Sequence, residues 1–536
     1  MATLISLFLF FVISSNSVIY LTFGEYLSVY MVNYAKNDPM YWFNGFHDHF
    51  LNVNILGLIA CLWLFFWIWM PSVNSKYEPI TLYKLFSWVF IPILLFAGLN
   101  QLVPFSKENR LNLFTATLSA FADTYYLSSP TTLGPSKNRA IISKLTPTPS
   151  SNLNFIVIVT ESFGKGMDGL PFYGHKTNAM PFLSQWIEKE KNNFFIFENA
   201  YTSSTASEIS MMSILSGMAP YKTSKDFNKN PLLWDWLAPL NYDTFFITSQ
   251  RLGNLKGFIK SEGLDLYVGS DDFDESSVND AGIDDLISVD YFCTKLKENR
   301  DVPFLGVYGN NALHGPFQQT STKLTTQPSF KNIYLNSLFI IDKTLEKIYS
   351  ALKESNSLKN TVIIITSDHG EMVTHIRDIP RIYSFYEEYI NIPFMVFLPD
   401  KLRKKKTHIV SQLAKNLKKN IGNVDILPTL LDLAGTLQNN PYPQFLGNLD
   451  GSSLIKHIPS NRMLTVLNTN DFRHWNHEGF ALIKENHKFI SSDREGSLLY
   501  DLSKDPLETK ALPLDEHSEK LSIYESFIKK HYHLDR

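Results

Sequence analysis

The chain contains very little cysteine and almost no imbalance of charge. Its 536 residues include only two cysteines, Cys61 and Cys293, which lie far apart in the sequence. This argues against a disulfide framework and against a metal site built on cysteine, and it is compatible with any compartment. The 49 basic and 52 acidic residues give a net charge of −3, so the composition does not indicate a nucleic-acid-binding protein.

Charged residues are also scarce in the first hundred residues. Residues 51–70 carry no charged side chain over about the length that crosses the hydrocarbon core of a bilayer. Residues 85–105 form a second apolar segment. Residues 4–24 form a third, which is interrupted by serine and asparagine and could instead be a signal sequence. We predict a transmembrane domain of about three spans over residues 1–105.

The lysines between these segments indicate an orientation. The loop at 71–84 carries two lysines and the loop at 32–50 carries one. The larger number of lysines favours 71–84 as the cytoplasmic loop, so the large C-terminal part would face outward. Residues 106–152 are predicted to begin with a juxtamembrane helix and to end as a proline-rich linker. The helix could lie on the membrane surface or serve as a plain connector.

From residue 153 onward, apolar strands alternate with helices. Strands are predicted at 154–160, 242–249, 302–309, 360–367 and 392–399, and helices at 181–193, 333–355 and 423–435. This alternation predicts an α/β domain over residues 153–536, with a mostly parallel sheet covered by helices on both faces. The last segments, 480–492 and 497–509, indicate short strands and turns, and predict a small antiparallel subdomain at the C-terminus.

Polar side chains follow three of the predicted strands. Glu161 comes directly after the first strand, His314 lies beyond the third, and Asp368 and His369 follow the fourth. In open α/β sheets, ligands bind just past the carboxyl ends of the strands. Carboxylates and imidazoles are ordinary ligands of zinc or manganese. Taken singly, each of these residues could equally be a solvated residue of a strand exit or loop.

A threonine in the same part of the chain could supply a nucleophile. Thr205 lies in a loop rich in serine and threonine, just before an apolar helix, where it could simply cap the helix. If Glu161, Asp368 and His369 hold a divalent cation with Thr205 as fourth ligand, the cation would lower the pKa of the hydroxyl. The helix N-terminus would then favour a phosphate-like or sulfate-like electrophile.

Six segments together are typical of one enzyme family. They are IVTESFG at 158–164, LPFYGHKTNAMPFL at 170–183, SSTASEISMMSILSG at 203–217, LHGPF at 313–317, YLNSLFIID at 334–342 and TSDHGE at 366–371. In their order and spacing, the chain resembles membrane-bound phospho-headgroup transferases of the alkaline phosphatase superfamily. Lipid A phosphoethanolamine transferases and lipoteichoic acid synthases are examples of this family.

The resemblance implies roles for individual residues. Glu161, Asp368 and His369, together with Thr205, would bind one divalent metal ion, zinc or manganese, and Thr205 would be the nucleophile. The resemblance further implies that His314 contacts the transferred phosphate or protonates the leaving oxygen.

His375 is a weaker candidate for substrate binding, because its distance from His369 in the sequence does not match the phosphoethanolamine branch.

The implied reaction has two steps. A phospho-headgroup, phosphoethanolamine in the first place and glycerol phosphate next, would pass from a membrane phospholipid to Thr205. It would then pass to an envelope glycan or lipid. The implied protein is a multi-pass protein of a bacterial inner membrane, with its catalytic domain on the periplasmic or extracytoplasmic side.

Two departures from the family pattern leave other activities open. Thr160-Glu161-Ser162 stands where the phosphoethanolamine branch has Gly-Glu-Thr, and residues 500–509 resemble the C-terminal segment of sulfatases and phosphoglycerol transferases. A membrane-anchored phosphodiesterase or sulfatase-like hydrolase is therefore the main alternative. Sulfatases need a Cys/Ser-x-Pro-x-Arg motif, which is absent around residues 203–216 and around both cysteines. A relative that only binds its ligand is a third possibility.

Overall fold

The structure is a computed structural model. It describes residues 139–143, 152–166, 169–253, 255–279, 281–314, 317, 324, 330–371, 384–438, 440–468, 479–492 and 495–531. All of these belong to the second of two compact units, Thr131–Arg536. The three predicted transmembrane spans and the juxtamembrane helix lie outside them. Within the described ranges, no helix combines the length and hydrophobicity that a bilayer crossing needs.

The described strands and helices alternate along most of the chain. The strands are β1 (Asn154–Thr160), β2 (Phe194–Ile196), β3 (Asn199–Tyr201), β4 (Asp243–Thr248), β5 (Leu266–Val268), β6 (Phe304–Gly309), β7 (Thr361–Ser367), β8 (Met395–Phe397), β9 (Asn420–Gly422), β10 (Met463–Asn468), β11 (Gly479–Lys484), β12 (His487–Ser492) and β13 (Gly496–Asp501). The helices are α1 (Pro181–Lys189), α2 (Ser207–Ser216), α3 (Ser224–Lys229), α4 (Leu233–Leu237), α5 (Leu255–Ile259), α6 (Asp285–Lys297), α7 (Phe330–Glu354), α8 (Glu387–Ile390), α9 (Asp400–Lys405), α10 (Thr407–Asn416), α11 (Ile426–Leu433), α12 (Pro443–Leu446) and α13 (Ser518–His531).

A seven-stranded sheet forms the centre, in the order β2-β8-β7-β1-β6-β4-β5. The five strands from β7 to β5 are parallel to their neighbours, whereas β8 pairs antiparallel with both β7 and β2. The predicted mostly parallel sheet is therefore confirmed. Since β7, β1, β6 and β4 run side by side in one direction, their carboxyl ends meet at one edge of the sheet.

Apolar residues cover both faces of the central strands. In β1, Phe155 and Val157 belong to one buried cluster, while Ile156 and Ile158 belong to another on the opposite face. Helices supply the other members of both clusters, for example α11 on the first face and α7 on the second. This arrangement explains the continuous apolar runs in the sequence, because such strands have no face exposed to water.

Most predicted bounds differ from the observed ones by a few residues, and the helix predicted at 181–193 ends at Lys189. Two other differences have a structural cause. The strand predicted at 392–399 is observed as β8 alone (Met395–Phe397). At its start Pro393 has no N–H to donate, and the Ile392 amide donates to the Ala200 carbonyl (N···O 2.9 Å). The helix predicted at 423–435 begins with a 3₁₀ turn at Asn423–Asp425 before α11. Neither difference changes the order of the strands.

The C-terminal part forms a separate antiparallel sheet, in the order β10-β11-β12-β13, which confirms the predicted subdomain. Its first strand meets the loop that precedes α2. The Leu467 amide donates to the Ser203 carbonyl (N···O 3.0 Å), and Ser204 and Leu467 form a parallel bridge. The small sheet therefore lies directly beside the threonine-bearing loop.

A buried ion cluster joins this small sheet to the segment that follows β7. Lys488 of β12 has no exposed surface, and its ammonium lies 2.9 Å from Glu387 Oε1 and also contacts Glu508. The Glu387 amide in turn donates to Glu508 Oε2 (2.8 Å). Glu387 begins α8, and the Tyr389 carbonyl of α8 accepts from the Gly370 amide (2.7 Å). The cluster thus supports the turn that carries His369.

A second buried acid ties together the segments that follow β4 and β6. Asp285, the first residue of α6, accepts hydrogen bonds from the Asn311 amide (2.8 Å), the Ala312 amide (2.9 Å) and the Ser249 hydroxyl. Burial raises the pKa of the Asp285 carboxyl to about 7, although these three hydrogen bonds act against the rise.

Replacing Lys488 by methionine should destabilise the fold by about 3–5 kcal/mol, because the buried Glu508 carboxylate and the partly buried Glu387 carboxylate lose the cation they share. Chemical unfolding followed by circular dichroism measures the change. The matched control is Lys484→Met on β11, where the lysine is partly exposed, and we expect a change within about 0.5 kcal/mol. Adding Glu508→Gln to Lys488→Met should restore part of the loss. Equal stability of Lys488→Met and wild type would contradict this role.

Replacing Asp285 by asparagine should change how stability depends on pH. Between the ordinary pKa of 3.8 and the folded value of about 7, the folded wild type keeps a proton that the unfolded chain has lost. This group therefore stabilises the wild type most below pH 3.8, and the contribution is lost as the pH rises to about 7. The stability of Asp285→Asn relative to wild type should rise over that window and then level off. Urea titrations at several pH values test this, and a constant difference would refute it.

Candidate active site

Three ionisable side chains converge where β1 and β7 end. Glu161 directly follows β1, and Asp368 and His369 directly follow its neighbour β7, with Thr160 paired to Ser367 in the register. The potential ligand atoms of the three side chains all lie within 4.8 Å of one another. Glu161 and Asp368 are each 2% exposed, and His369 is fully buried. The group therefore has the composition and spacing of a site that could hold a metal ion.

Hydrogen bonds orient the free atoms of this group towards its centre. Asp368 Oδ1 accepts from the backbone amides of Ser162 (3.0 Å) and His369 (2.7 Å), which leaves Oδ2 facing His369 Nε2 at 3.4 Å. His369 Nδ1 lies 2.9 Å from the Gly370 carbonyl. A carbonyl can only accept, so in the neutral imidazole Nδ1 carries the proton and Nε2 keeps its lone pair.

The backbone around these residues is closely fitted. Ser162 has a φ of +54°, a left-handed conformation that is uncommon for a residue with a side chain. Its hydroxyl donates to Glu161 Oε1 (2.9 Å). A Cβ atom added to Gly370 would lie 2.3 Å from the Glu388 carbonyl oxygen, so only glycine allows α8 to approach the His369 turn this closely.

The electrostatics of the group favour a bound cation. Burial raises the pKa of Glu161, and the neighbouring Asp368 carboxylate raises it further. Two carboxylates beside one imidazole inside a protein are costly unless an opposite charge is present. Two carboxylates with a free imidazole nitrogen form a donor set that zinc or manganese accepts, so these residues fit a divalent ion.

The loop containing Thr205 wraps around the same group. Ser210 Oγ donates to the Asp368 carbonyl (2.6 Å), and Thr202 Oγ1 donates to the same oxygen. Ser207 Oγ lies 3.0 Å from His369 Nε2 and 3.3 Å from Glu161 Oε2. These contacts hold residues 202–210 against the three ionisable side chains.

Thr205 itself has an unsatisfied hydroxyl. The residue is 1% exposed, and among the described residues its Oγ1 has no hydrogen-bond partner. It does not cap the helix, because α2 begins at Ser207 with Ala206 in the capping position. A buried hydroxyl without a partner is rare in folded proteins and points to an interaction with a group that is not part of the chain.

Two further histidines, His314 and His375, were predicted to lie near these three ionisable side chains. His314 is half-buried beyond β6, and its imidazole is close enough to Glu161 to lower the pKa of that carboxyl. Its loop is fixed by the Asn279 amide, which donates to the carbonyls of Asn311 (3.1 Å) and His314 (3.4 Å). His375 lies outside the described residues.

Besides the adjacent Ser162, three residues that were not predicted from the sequence contact Glu161. Gln250 Nε2 donates to Glu161 Oε2 (3.1 Å) and to the Asn310 carbonyl (2.7 Å), while Asn310 Oδ1 accepts from the Glu161 amide (3.3 Å). Ser207 is the third. Gln250 and Asn310 closely follow β4 and β6, so the strand-exit rule that pointed to Glu161 would have found them. Ser207 carries no such signal, since it is one of several serines in its segment.

Comparison with known proteins shows relatives that share part of this domain. The Delta 4,5-hexuronate-2-O-sulfatase of Bacteroides thetaiotaomicron is 23% identical over 403 residues, which cover 62% of this chain and 80% of that protein. Arylsulfatase K of Canis lupus familiaris is 33% identical over 146 residues. That match covers 26% of this chain and only 24% of the relative's length.

Solved structures agree on the fold. A protein in the alkaline phosphatase superfamily from Vibrio parahaemolyticus superimposes with a TM-score of 0.51 and 18% sequence identity. The superposition covers 77% of this chain and 95% of that one. The family model described as Sulfatase matches residues 153–436, more than half of the chain. The chain therefore belongs to the sulfatase family.

Proposed function

We propose that this protein is a metal-dependent transferase that moves a phospho-headgroup from a membrane phospholipid through a covalent phospho-threonine. The observation that carries the proposal is the buried, unpartnered hydroxyl of Thr205 in a loop bound to Glu161 and His369 through Ser207. Phosphoethanolamine is the favoured headgroup and glycerol phosphate the next. The acceptor is an envelope glycan or lipid.

Glu161, Asp368 and His369, with the Thr205 hydroxyl, would hold one zinc or manganese ion. Such an ion acts as a Lewis acid that favours the ionised form of a neighbouring hydroxyl and neutralises charge on a phosphoryl oxygen. The protein supplies the orientation. Asp368 Oδ1 is held by two backbone amides, and His369 Nδ1 is occupied by the Gly370 carbonyl. Oδ2 and Nε2 are therefore already directed inward.

The first step forms one bond and breaks another. Thr205 Oγ1 releases its proton to water and attacks the phosphorus of the phospholipid, and the bond from phosphorus to the diacylglycerol oxygen breaks. The leaving oxygen takes up a proton, for which the His314 imidazolium is the candidate donor because it lies near Glu161. In the second step an acceptor hydroxyl gives its proton to the now neutral His314 imidazole as it attacks the same phosphorus, and the Thr205 oxygen leaves and regains a proton from water.

A sulfatase-like hydrolase or phosphodiesterase is the second candidate, because the curated relatives carry sulfatase names. Formylglycine-dependent sulfatases require a cysteine or serine followed by x-Pro-x-Arg. No such motif occurs in this sequence, and the loop presents a threonine instead. A hydrolase that uses water as the acceptor shares the first step with the transferase and differs only in the second.

The apolar segments in residues 1–105 support a place in a membrane, where both a lipid donor and a lipid acceptor are available. We propose a multi-pass protein of a bacterial inner membrane, with the catalytic domain on the periplasmic or extracytoplasmic side. The linker at 128–152 would separate the domain from the bilayer.

Replacing Thr205 by alanine should abolish formation of a covalent adduct. We expect full-length wild type in detergent micelles with phosphatidylethanolamine and zinc or manganese to gain the mass of one phosphoethanolamine group and to release diacylglycerol. Thr205→Ala should form no adduct and release diacylglycerol about 1,000-fold more slowly or worse. Intact-mass spectrometry and labelled lipid provide the two measurements.

The matched control for this experiment is Thr294→Ala, on the exposed face of α6, which should behave as wild type. Full diacylglycerol release by Thr205→Ala would rule out this nucleophile. Adding a lipid or glycan acceptor separates the two candidate functions. A transferase passes the headgroup to the acceptor, whereas a hydrolase yields only the free phosphate monoester.

Replacing Asp368 by asparagine should weaken metal binding. Removing even an outer partner of a metal ligand costs about 10- to 100-fold in affinity, so loss of a ligand should cost at least this much. Elemental analysis after dialysis should find about one zinc or manganese per wild-type chain and clearly less in the variant. Asp515→Asn, at an exposed acid, serves as the control. A folded wild type that binds neither ion would contradict the proposed site.

A further inference from the structure

Asn468, the last residue of β10, has an amide group with no hydrogen-bond partner. The residue is 1% exposed, and among the described residues neither Nδ2 nor Oδ1 makes a hydrogen bond. Neither the donor nor the acceptor of the amide is hydrogen-bonded, so the observation holds for either orientation of the amide group. A buried amide left wholly unpaired is unusual in a folded protein and calls for a specific reason.

The register of β10 places Asn468 beside Thr205. Ser204 and Leu467 form a parallel bridge, and the Leu467 amide donates to the Ser203 carbonyl (3.0 Å). Thr205 and Asn468 directly follow the two residues of this bridge in the chain. Thr205 Oγ1 is likewise buried and unpartnered among the described residues.

The alternation along β10 indicates which way Asn468 faces. Leu464 and Val466 pack in the buried cluster that contains Phe385, and Asn468 lies on the same face by the period of two. Gly479, the partner of Asn468 in β11, lies against the Phe385 ring, where an added Cβ would be 2.7 Å from Cε2. This is the face that meets the segment leading into α8.

A third unpartnered group lies in that segment. The hydroxyl of Ser384, directly before Phe385, is buried and has no hydrogen-bond partner among the described residues. Two further buried side chains among the described residues, Asn468 and Ser384, therefore have polar atoms without hydrogen-bond partners. Their arrangement is typical of a binding site for a polar molecule, since a purely structural core would pair these groups or replace them by apolar ones.

We propose that Asn468 binds the headgroup while it is carried on Thr205. Nδ2 donates to a non-bridging phosphoryl oxygen, and Oδ1 accepts from the ammonium or hydroxyl group at the other end of the headgroup. This assignment rests on the proposed function and narrows its substrate class. A headgroup such as phosphoethanolamine or glycerol phosphate offers both acceptors and donors, whereas a bare sulfuryl group offers only acceptors.

Asn468→Leu tests the assignment, because leucine has a similar size and removes both polar atoms. With phosphatidylethanolamine, kcat/KM of the full-length variant should fall by about 10- to 100-fold, the usual effect of losing hydrogen bonds to a charged group. With bis(4-nitrophenyl) phosphate, which has no hydrogen-bond donor for Oδ1, the fall in kcat/KM should be smaller. The melting temperature should stay equal to that of wild type or rise, since no internal hydrogen bond is removed.

The control is Asn461→Leu, an exposed asparagine just before β10, which should leave both activities unchanged. The assignment is overturned if Asn468→Leu keeps kcat/KM within about twofold of wild type on the phospholipid. It is also overturned if activity and melting temperature fall together, which would indicate a structural role. A wild type that releases no diacylglycerol from any phospholipid overturns the proposed function itself and the headgroup assignment with it.

Discussion

The central constraint on this structure is the burial of two carboxylates and one imidazole at the ends of two adjacent parallel strands. Glu161 and Asp368 are almost inaccessible to water, and the chain places no lysine or arginine in contact with either among the described residues. The surrounding hydrogen bonds orient these side chains without neutralising them, because they come from backbone amides, hydroxyls and an amide side chain. Such a site is stable only if a cation completes it or a proton is taken up.

This constraint explains which parts of the site the sequence could predict. A continuous apolar run followed at once by an acid is a conflict between burial and charge, and it is visible without coordinates for Glu161 and Asp368. Gln250 follows the same rule after β4, but a neutral amide creates no such conflict and was overlooked. The sheet itself was also predictable, because strands that are covered on both faces show no alternation of polar and apolar residues.

The contribution of the C-terminal sheet could not be predicted in this way. Its sequence indicates short strands, but nothing in their periodicity shows that β10 pairs with the loop ahead of α2. That contact depends on a long-range register between Ser204 and Leu467. The position of Asn468 relative to Thr205 follows from this register alone. Lys488 adds a second link, because its partner Glu387 begins the helix that contacts Gly370. The small sheet therefore stabilises the site from two directions.

Family membership and chemistry are separate questions in this protein. The strand exits bring together residues that could hold a cation, and such a scaffold suits either a sulfate or a phosphate ester. In the proposed reaction the attacking residue decides between them, and Thr205 lies in the loop before α2 rather than in the sheet. A threonine there offers a hydroxyl that can be esterified and released again, and no Pro-x-Arg sequence accompanies it. An enzyme that must hand its bound group to a second alcohol gains from this chemistry, because the phospho-threonine keeps the transferred group in place until an acceptor arrives. The unpaired amide of Asn468 fits the same requirement, since a headgroup that waits on the enzyme needs contacts of its own.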